Sequence, residues 1–323
     1  MGQSISAPAE RLSAHVNGIN LSFLSQGEGP LVIFMHGFPD LAISWRHQMK
    51  AVAEAGYRAV APDMRGYGDT DAPDDPALYS QFHIAGDITG LMDHLGEETA
   101  VLVGHDMGAN VDWAMATFVP ERVRGVVVLS IPHKPRGAQP PVASSPPRFY
   151  QRLFQELGVE EADLASKVDT FIPGIFDRLS GSSELGAPPA LIVPEGQHFS
   201  DLFQPPKAAP AWMGQEEIDT YVETFKRTGF RGALNWYRNI DNNWHTAAPW
   251  APGHVQVPAA FIIGTVDVAW ALFKDNGVID SQVHRVPNLW DVRVLEGVGH
   301  WIAQERPDDV NDLLLTFLAK LDS

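Results

Sequence analysis

One segment of this sequence places a carboxylate where an enzyme nucleophile could stand. Residues 100–103 (AVLV) form a predicted strand that runs into residues 104–108 (GHDMG), and helical spacing begins directly after them. In the serine version of this pattern, G-x-S-x-G, a tight turn holds the nucleophile above the sheet in a strained conformation, and the helix N-terminus stabilises negative charge. Taken alone, Asp106 is more simply a helix cap, a position that Asp favours.

Two further side chains favour the catalytic interpretation of Asp106. Asp267 follows the predicted strand 259–263 (AAFII), and His300 follows the predicted strand 292–295 (VRVL). Taken singly, Asp267 would be a turn residue and His300 a packed side chain. The order nucleophile, acid and histidine, with each residue after a strand, instead predicts a catalytic triad.

An aspartate nucleophile favours a particular chemistry. A carboxylate is ionised at neutral pH and attacks without the help of a general base. It suits displacement at an sp³ carbon, which gives an alkyl ester on Asp106. His300, oriented by Asp267, would then activate water to hydrolyse that ester. Epoxide opening and dehalogenation both fit this scheme, but only an epoxide oxygen needs a proton donor.

Two tyrosines are candidates for that donor. Of the six tyrosines, Tyr150 and Tyr237 lie in predicted helical segments in the middle of the chain. A phenol is protonated at neutral pH and can donate to an emerging alkoxide. For either tyrosine alone, packing is the simpler interpretation.

The elements that must position these residues alternate between strands and helices. Short apolar and β-branched runs predict strands that are buried on both faces. The alternation resumes at residue 259 and ends in a helix over residues 307–321, which begins with Pro and two Asp. In the first part of the chain, the predicted strands are 16–24, 31–35, 58–62, 100–103 and 126–129, and the predicted helices are 84–95 and 107–118.

The alternation is interrupted in the middle of the chain. Residues 138–149 contain four prolines, and helical segments then flank a Gly- and Pro-rich stretch over residues 179–210. Strand–helix alternation predicts a mostly parallel sheet with helices on both faces. We therefore expect an α/β core formed by residues 1–137 and 251–323, with a helical lid inserted at residues 138–250.

The composition excludes several classes of function. The 323 residues include 23 Lys and Arg against 40 Asp and Glu, a net charge of −17 that disfavours nucleic acid and anionic membrane surfaces. The chain has no cysteine, and its 12 histidines lack metal-ligand spacing, so we expect no metal and no cofactor. We find no apolar run of about 18 residues and no signal-peptide pattern. We therefore expect a cytoplasmic monomer or homodimer.

Three parts of the chain resemble the epoxide hydrolases of the α/β-hydrolase superfamily, and the resemblance extends over nearly the whole length. These parts are residues 36–39 (HGFP) with residues 44–48 (SWRHQ), residues 61–68 (APDMRGYG), and residues 228–239 (TGFRGALNWYRN). The resemblance implies an α/β-hydrolase fold with a lid, and a reaction that converts an epoxide and water to a vicinal diol.

The resemblance also implies a role for each candidate residue. Asp106 would be the nucleophile, and Asp267 and His300 would complete the triad. Tyr150 and Tyr237 would polarise the epoxide oxygen.

The loop of residues 36–39 resembles the H-G-x-P oxyanion loop of this superfamily. The backbone N–H groups of Phe38 and Met107 would then stabilise an oxyanion, and Pro39 suggests a cis peptide bond. We expect a small lipophilic substrate, because the predicted lid is rich in apolar and aromatic side chains: Phe154, Phe171, Phe176, Phe199, Phe203 and Trp212. Three tryptophans are predicted at the substrate pocket: Trp45, Trp236 and Trp301.

The sequence departs from the family pattern at three places. Met107 stands where the family usually has Trp, which changes the pocket shape but keeps the backbone N–H. Asp112 lies on the helix after the nucleophile, and we expect it to face solvent or a polar partner. The stretch over residues 181–210 is where we expect the chain to follow the family template least.

Three alternatives remain open at this point. A haloalkane dehalogenase would use side-chain donors for halide, commonly the Trp that Met107 replaces. A haloacetate dehalogenase would need an Arg beside the nucleophile, which neither Met107 nor Asn110 provides. A non-catalytic ligand receptor on this fold would have no need for a complete triad and two tyrosines.

Overall fold

The computed structural model describes residues 8–134, 136–184, 191–251 and 253–323, and within these residues eight strands form one sheet. The strand order is β1-β2-β4-β3-β5-β6-β7-β8. The pairs β1–β2 and β2–β4 are antiparallel, and all other pairs are parallel. The strands are β1 (Glu10–Val16), β2 (Ile19–Gln26), β3 (Leu31–Met35), β4 (Arg58–Pro62), β5 (Ala100–His105), β6 (Val123–Leu129), β7 (Ala259–Gly264) and β8 (Leu289–Leu295).

Most predicted strands lie where the apolar runs place them, but the first one begins too early. Residues 16–24 contain the last residue of β1, a turn and most of β2, and the two strands pair as a hairpin. Asn17 and Gly18 have φ angles of 47° and 78°. Asn-Gly readily adopts positive φ at both positions, as a tight hairpin turn requires. The dipeptide therefore reverses the chain inside the run that we read as a single strand.

Helices cover both faces of the sheet, and two predicted helices match their observed bounds, Met107–Phe118 and Pro307–Leu321. The helices that accompany the sheet are α1 (Arg46–Glu54), α2 (Gln81–Leu95), α3 (Met107–Phe118), α11 (Val268–Phe273), α12 (Gln282–Arg285), α13 (Ile302–Glu305) and α14 (Pro307–Leu321). Those between β6 and β7 are α4 (Pro141–Ser144), α5 (Tyr150–Leu153), α6 (Val159–Ser166), α7 (Val168–Arg178), α8 (Gln215–Thr228), α9 (Arg231–Arg238) and α10 (Ile240–Thr246). Short 3-10 helices occur at Ala42–Trp45, Pro76–Tyr79, Pro120–Arg122, Phe199–Leu202, Ala248–Trp250 and Lys274–Asn276.

The sheet separates two apolar layers. Successive side chains of β3 alternate between them, as the pleat of a strand requires: Ile33 belongs to one layer and Phe34 to the other. Trp45 lies in the second layer, with α1, α13 and α14, where its ring centroid is 5.4 Å from that of Phe34. Phe38 and Met107 belong to the first layer. The prediction that Trp45 lines the substrate pocket is therefore not supported, because its side chain packs behind the sheet.

The helices α4 to α10 contact the loops at the carboxyl edge of the sheet. The Tyr221 hydroxyl donates a hydrogen bond of 2.5 Å to the Asp40 carboxylate, and the Trp236 indole donates one of 2.9 Å to the Arg65 carbonyl. A Cβ atom at Gly232 would collide with the backbone of Gly66, so the two segments approach closely. The boundaries of the lid at residues 138 and 250 stay a prediction, and residues 185–190 of the Gly- and Pro-rich stretch lie outside the described residues.

None of the helices in the described part of the chain is both long enough and apolar enough to cross a membrane.

The buried position of Asp112 contradicts the expectation that its side chain faces solvent or a polar partner. Its side chain is fully buried on α3, and neither carboxyl oxygen has a side-chain hydrogen-bonding partner among the described residues. Burial raises the pKa of Asp112 well above its ordinary value of 3.8, and the Gly104 backbone amide opposes this shift only in part. Burial therefore disfavours the charged form of this carboxyl.

We expect the substitution Asp112→Asn to stabilise the fold at neutral pH. The unfolded chain ionises Asp112 above pH 3.8, whereas burial raises the pKa of this group in the folded chain, so the stability of the native protein falls as pH rises above 3.8. The free energy of unfolding from urea titration at pH 7 should rise by about 1–3 kcal/mol. The gain should shrink toward pH 4. The control is the substitution Asp219→Asn on exposed α8, and an equal effect of both substitutions would contradict this account.

Candidate active site

Four adjacent strands end in polar side chains at one edge of the sheet. Asp106 comes directly after β5, and Ser130 comes directly after β6. Asp267 lies three residues beyond the end of β7, and His300 lies five residues beyond the end of β8. The strands β5, β6, β7 and β8 are neighbours in that order and run parallel. Parallel neighbours bring their carboxyl ends together, which is where α/β proteins build their sites.

The turn between β5 and α3 holds Asp106 in an unusual backbone conformation. Its φ is +53° and its ψ is −118°, a region that a non-glycine residue occupies only under strain. A Cβ atom at Gly108 would collide with the Met35 carbonyl oxygen, so this glycine allows the first turn of α3 to approach β3. The peptide bond between Phe38 and Pro39 is cis, as predicted.

Backbone amides hold the Asp106 carboxylate. The Phe38 N–H donates to Oδ1 over 3.0 Å, and a hydrogen bond from the Met107 N–H also stabilises the charged carboxylate. The other oxygen, Oδ2, lies 3.8 Å from His300 Nε2. Burial raises the pKa of Asp106, while His300 and the two amides oppose the shift. The carboxylate thus has one oxygen in a backbone cradle and the other facing the histidine.

His300 and Asp267 form a tightly paired base and acid. His300 Nδ1 lies 2.9 Å from Asp267 Oδ1, which also accepts a hydrogen bond from the Ala269 N–H. Burial alone would lower the pKa of His300, but the negative charges of Asp267 and Asp106 raise it to about 9. The same pairing with His300 lowers the pKa of Asp267 in spite of burial. Asp267 therefore stays ionised and orients the imidazole with Nε2 toward Asp106.

Two residues that the sequence analysis did not assign hold the loop of His300. His105 Nε2 donates to the His300 carbonyl over 2.8 Å, and burial lowers the pKa of His105 to about 3, so this ring is neutral. The Glu305 carboxylate accepts from the N–H groups of Gly299 and Trp301, each over 3.1 Å. Both contacts fix the backbone on either side of the His300 imidazole.

Two tyrosine rings pack together close to Phe38, the residue whose N–H bonds Asp106. Tyr150 begins α5 and Tyr237 lies on α9, and their ring centroids are 5.7 Å apart. Burial and the negative charge of Asp106 raise both phenol pKa values, so both hydroxyls keep their protons. The Gln151 amide donates to the Tyr150 hydroxyl over 3.0 Å, which leaves the phenol proton to be donated elsewhere. The ring of Tyr237 also packs against Phe38, with centroids 5.7 Å apart.

The remaining two predicted pocket tryptophans lie in the apolar layer that faces Asp106. Trp301 packs against His300 with a centroid distance of 4.9 Å and against Phe176 at 4.6 Å. Trp236 packs against Tyr67 at 6.1 Å and is held by its bond to the Arg65 carbonyl. Both are almost fully buried. Their direct contact with a substrate stays a prediction.

One group of potential metal ligands occurs in the described part of the chain, away from the triad. Donor atoms of Glu160, Asp163 and His198 lie within 4.8 Å of one another. These groups already have partners: His198 Nδ1 lies 3.0 Å from Glu160, and the Lys167 ammonium lies 2.8 Å from Asp163. A cationic side chain therefore already neutralises part of this cluster, and we assign no metal to it.

Comparisons with known proteins agree with this geometry. A model of the α/β-hydrolase fold family matches residues 30–307. Epoxide hydrolase A of Mycobacterium tuberculosis is 39% identical, covering 98% of this chain and 99% of its own, and epoxide hydrolase 1 of Siraitia grosvenorii is 41% identical, covering 96% and 98%. The solved structure of an epoxide hydrolase from an endophytic Streptomyces is similar with a TM-score of 0.92 at 38% identity, covering 97% of this chain and 96% of that one.

Proposed function

The chain belongs to the epoxide hydrolases of the α/β-hydrolase fold, and from this premise we propose that it opens epoxides to vicinal diols through a covalent ester on Asp106. The observation that carries this proposal is the pair of tyrosines that pack together at Phe38, whose N–H bonds the Asp106 carboxylate. A nucleophile that attacks carbon and a donor that protonates oxygen are the two groups that epoxide opening needs.

In the first step, Asp106 Oδ2 attacks a ring carbon of the epoxide. A C–O bond forms to the carboxylate, the ring C–O bond breaks, and its electron pair moves to the epoxide oxygen. That oxygen takes a proton from Tyr150 or Tyr237. The assignment of Oδ2 is supported by the hydrogen bond from the Phe38 N–H, which holds the other oxygen in the backbone cradle.

In the second step, water attacks the carbonyl carbon of the ester and gives up a proton to His300 Nε2. Negative charge develops on Oδ1, where the N–H groups of Phe38 and Met107 stabilise it. The tetrahedral intermediate then collapses: its bond to the alkyl oxygen breaks, that oxygen takes the proton from His300 to complete the diol, and the acid proton left on Asp106 returns to the tyrosinate. Formation of the ester removes the charge of Asp106, which is one cause of the raised pKa of His300, so alkylation favours the neutral imidazole that this step requires.

The surroundings of the site support a lipophilic, uncharged substrate. Aromatic side chains of the inserted helices pack around Phe38 and the two tyrosines, and the net charge of −17 disfavours anionic compounds. These aromatic side chains are Phe154, Phe171, Phe199 and Phe230. The preferred epoxide, the oligomeric state and the cytoplasmic location stay predictions.

Turnover of styrene oxide tests the proposed function. The wild-type protein should convert it to phenylethanediol, and the substitution Asp106→Ala should abolish this conversion. Assays with a bromoalkane and with bromoacetate, read by halide release, serve as comparisons. Halide release without diol formation would identify a dehalogenase, and binding of styrene oxide without turnover would identify a receptor. Either result would contradict the proposal.

A further inference from the structure

Ser130 occupies a position that none of the assigned roles explains. It follows β6 directly, and β6 lies between the strand that leads to Asp106 and the strand that leads to Asp267. Its side chain is fully buried, and its backbone N–H donates to the Ile262 carbonyl of β7 over 2.9 Å. The residue is therefore fixed at the centre of the four strand ends.

The backbone of Ser130 has a φ of +73°, in the left-handed region that favours glycine. A non-glycine residue in this region is strained, and such strain persists only where surrounding contacts hold it. A glycine would adopt this backbone conformation without strain but would bring no hydroxyl. The serine instead accepts the strain and holds a hydroxyl beside His300 and Asp267.

The hydroxyl of Ser130 lies against the pair of His300 and Asp267. Its Oγ is 3.4 Å from His300 Nδ1, whose shorter contact is 2.9 Å to Asp267 Oδ1. The one proton on His300 Nδ1 lies in the shorter hydrogen bond to Asp267. Ser130 Oγ therefore keeps its own proton available for another acceptor. The other oxygen of this carboxylate, Asp267 Oδ2, is buried and has no hydrogen-bonding partner among the described residues, so it is open to the Ser130 hydroxyl. An interaction with Ser130 is also one of the causes that lower the pKa of Asp267, after those of His300 and Ala269.

We propose that Ser130 is a positioning residue for the hydrolytic step: its hydroxyl donates to the Asp267 carboxylate and fixes that carboxylate on His300 Nδ1. The imidazole is then held with Nε2 toward the ester on Asp106. Ring opening needs only Asp106 and the tyrosines, so Ser130 acts on breakdown of the ester and not on its formation. This inference rests on the proposed function of the same site.

The test measures both steps separately in three variants with styrene oxide. Ser130→Ala removes the hydroxyl and keeps a Cβ atom, whereas Ser130→Gly removes the hydroxyl and also relieves the positive φ. Ser22→Ala is the control, because Ser22 is a buried serine on β2 with its hydroxyl bonded to Arg11. Acid quenching and mass spectrometry follow the alkylated protein over time.

We expect both Ser130 variants to hydrolyse the ester about tenfold more slowly, which corresponds to the loss of one hydrogen bond to a charged group. Formation of the ester should stay within twofold of wild type. In the steady state, kcat and KM should therefore fall together, while kcat/KM, which reports ester formation, is unchanged. A merely structural role would lower kcat/KM as well.

Two results would overturn the inference, and a third is distinguishable from them. Wild-type rates of ester breakdown in both Ser130 variants would show that the hydroxyl has no role. Equal losses in both steps would show a general structural effect. If the wild-type protein forms no ester at all, the proposed function itself fails, whatever the Ser130 variants do.

Discussion

The substitution His300→Gln should trap the protein as an ester on Asp106. Ring opening requires a proton from a tyrosine and an ionised Asp106, which the N–H groups of Phe38 and Met107 still favour when His300 is replaced. Hydrolysis requires a group that accepts the proton of water, and an amide at that position cannot do this. Steady-state turnover should fall by a factor of at least about 10². The intact protein should gain the mass of one substrate molecule after mixing with styrene oxide.

Peptide mapping then locates the added mass, which should reside on the peptide that contains Asp106. The matched control is His15→Gln, since His15 is exposed on β1 and remote from the triad. This control should turn over normally and carry no adduct once the substrate is consumed. A His300→Gln protein that loses turnover without any adduct, or with an adduct elsewhere, would contradict the two-step mechanism.

Replacement of both Tyr150 and Tyr237 by Phe should nearly abolish formation of the ester. An alkoxide that leaves without protonation is a poor leaving group, and a positioned general acid contributes roughly 10²- to 10⁴-fold in rate. The two rings lie together and both hydroxyls keep their protons, so each can donate in the absence of the other. Each single variant should therefore be slowed less than the double variant, and hydrolysis of an ester already formed should be unaffected.

Stopped-flow or quenched-flow measurement of ester formation with His300→Gln as the background isolates this step. Tyr57→Phe is the control, because the Tyr57 hydroxyl is bonded to Asp322 and the ring lies in the apolar layer behind the sheet. A double Tyr variant that forms the ester at the wild-type rate would refute the role of the hydroxyls as proton donors.

The sequence was most informative where a function needs a local pattern. A buried strand, a tight turn and a helix place Asp106 at the edge of the sheet, and apolar runs before Asp267 and His300 predict that they lie at the same edge. The structure brings these three side chains together with hydrogen-bonding and close ionic contacts. The same pattern, a buried strand followed at once by a polar residue, could have identified Ser130.

The sequence was least informative where a residue is defined by its packing against distant parts of the chain. Asp112 has helical neighbours that suggest an exposed position, yet the close approach of α3 to β5 buries it fully. Trp45 stands near the oxyanion loop in sequence, but its side chain lies on the opposite face of the sheet. Glu305 supports the loop of His300 through backbone amides, which leave no pattern in residue types.

The covalent ester on Asp106 is tested most directly by a single turnover of styrene oxide in ¹⁸O-water with the protein in excess. Because water attacks the carbonyl carbon of the ester, we predict that the ¹⁸O label enters the Asp106 carboxylate and that the diol of this first turnover is unlabelled. Digestion and mass spectrometry of the peptide that contains Asp106, together with the mass of the diol, give both readings. Label in the first-turnover diol with none in Asp106 would mean that water attacks the epoxide directly, and would contradict the mechanism.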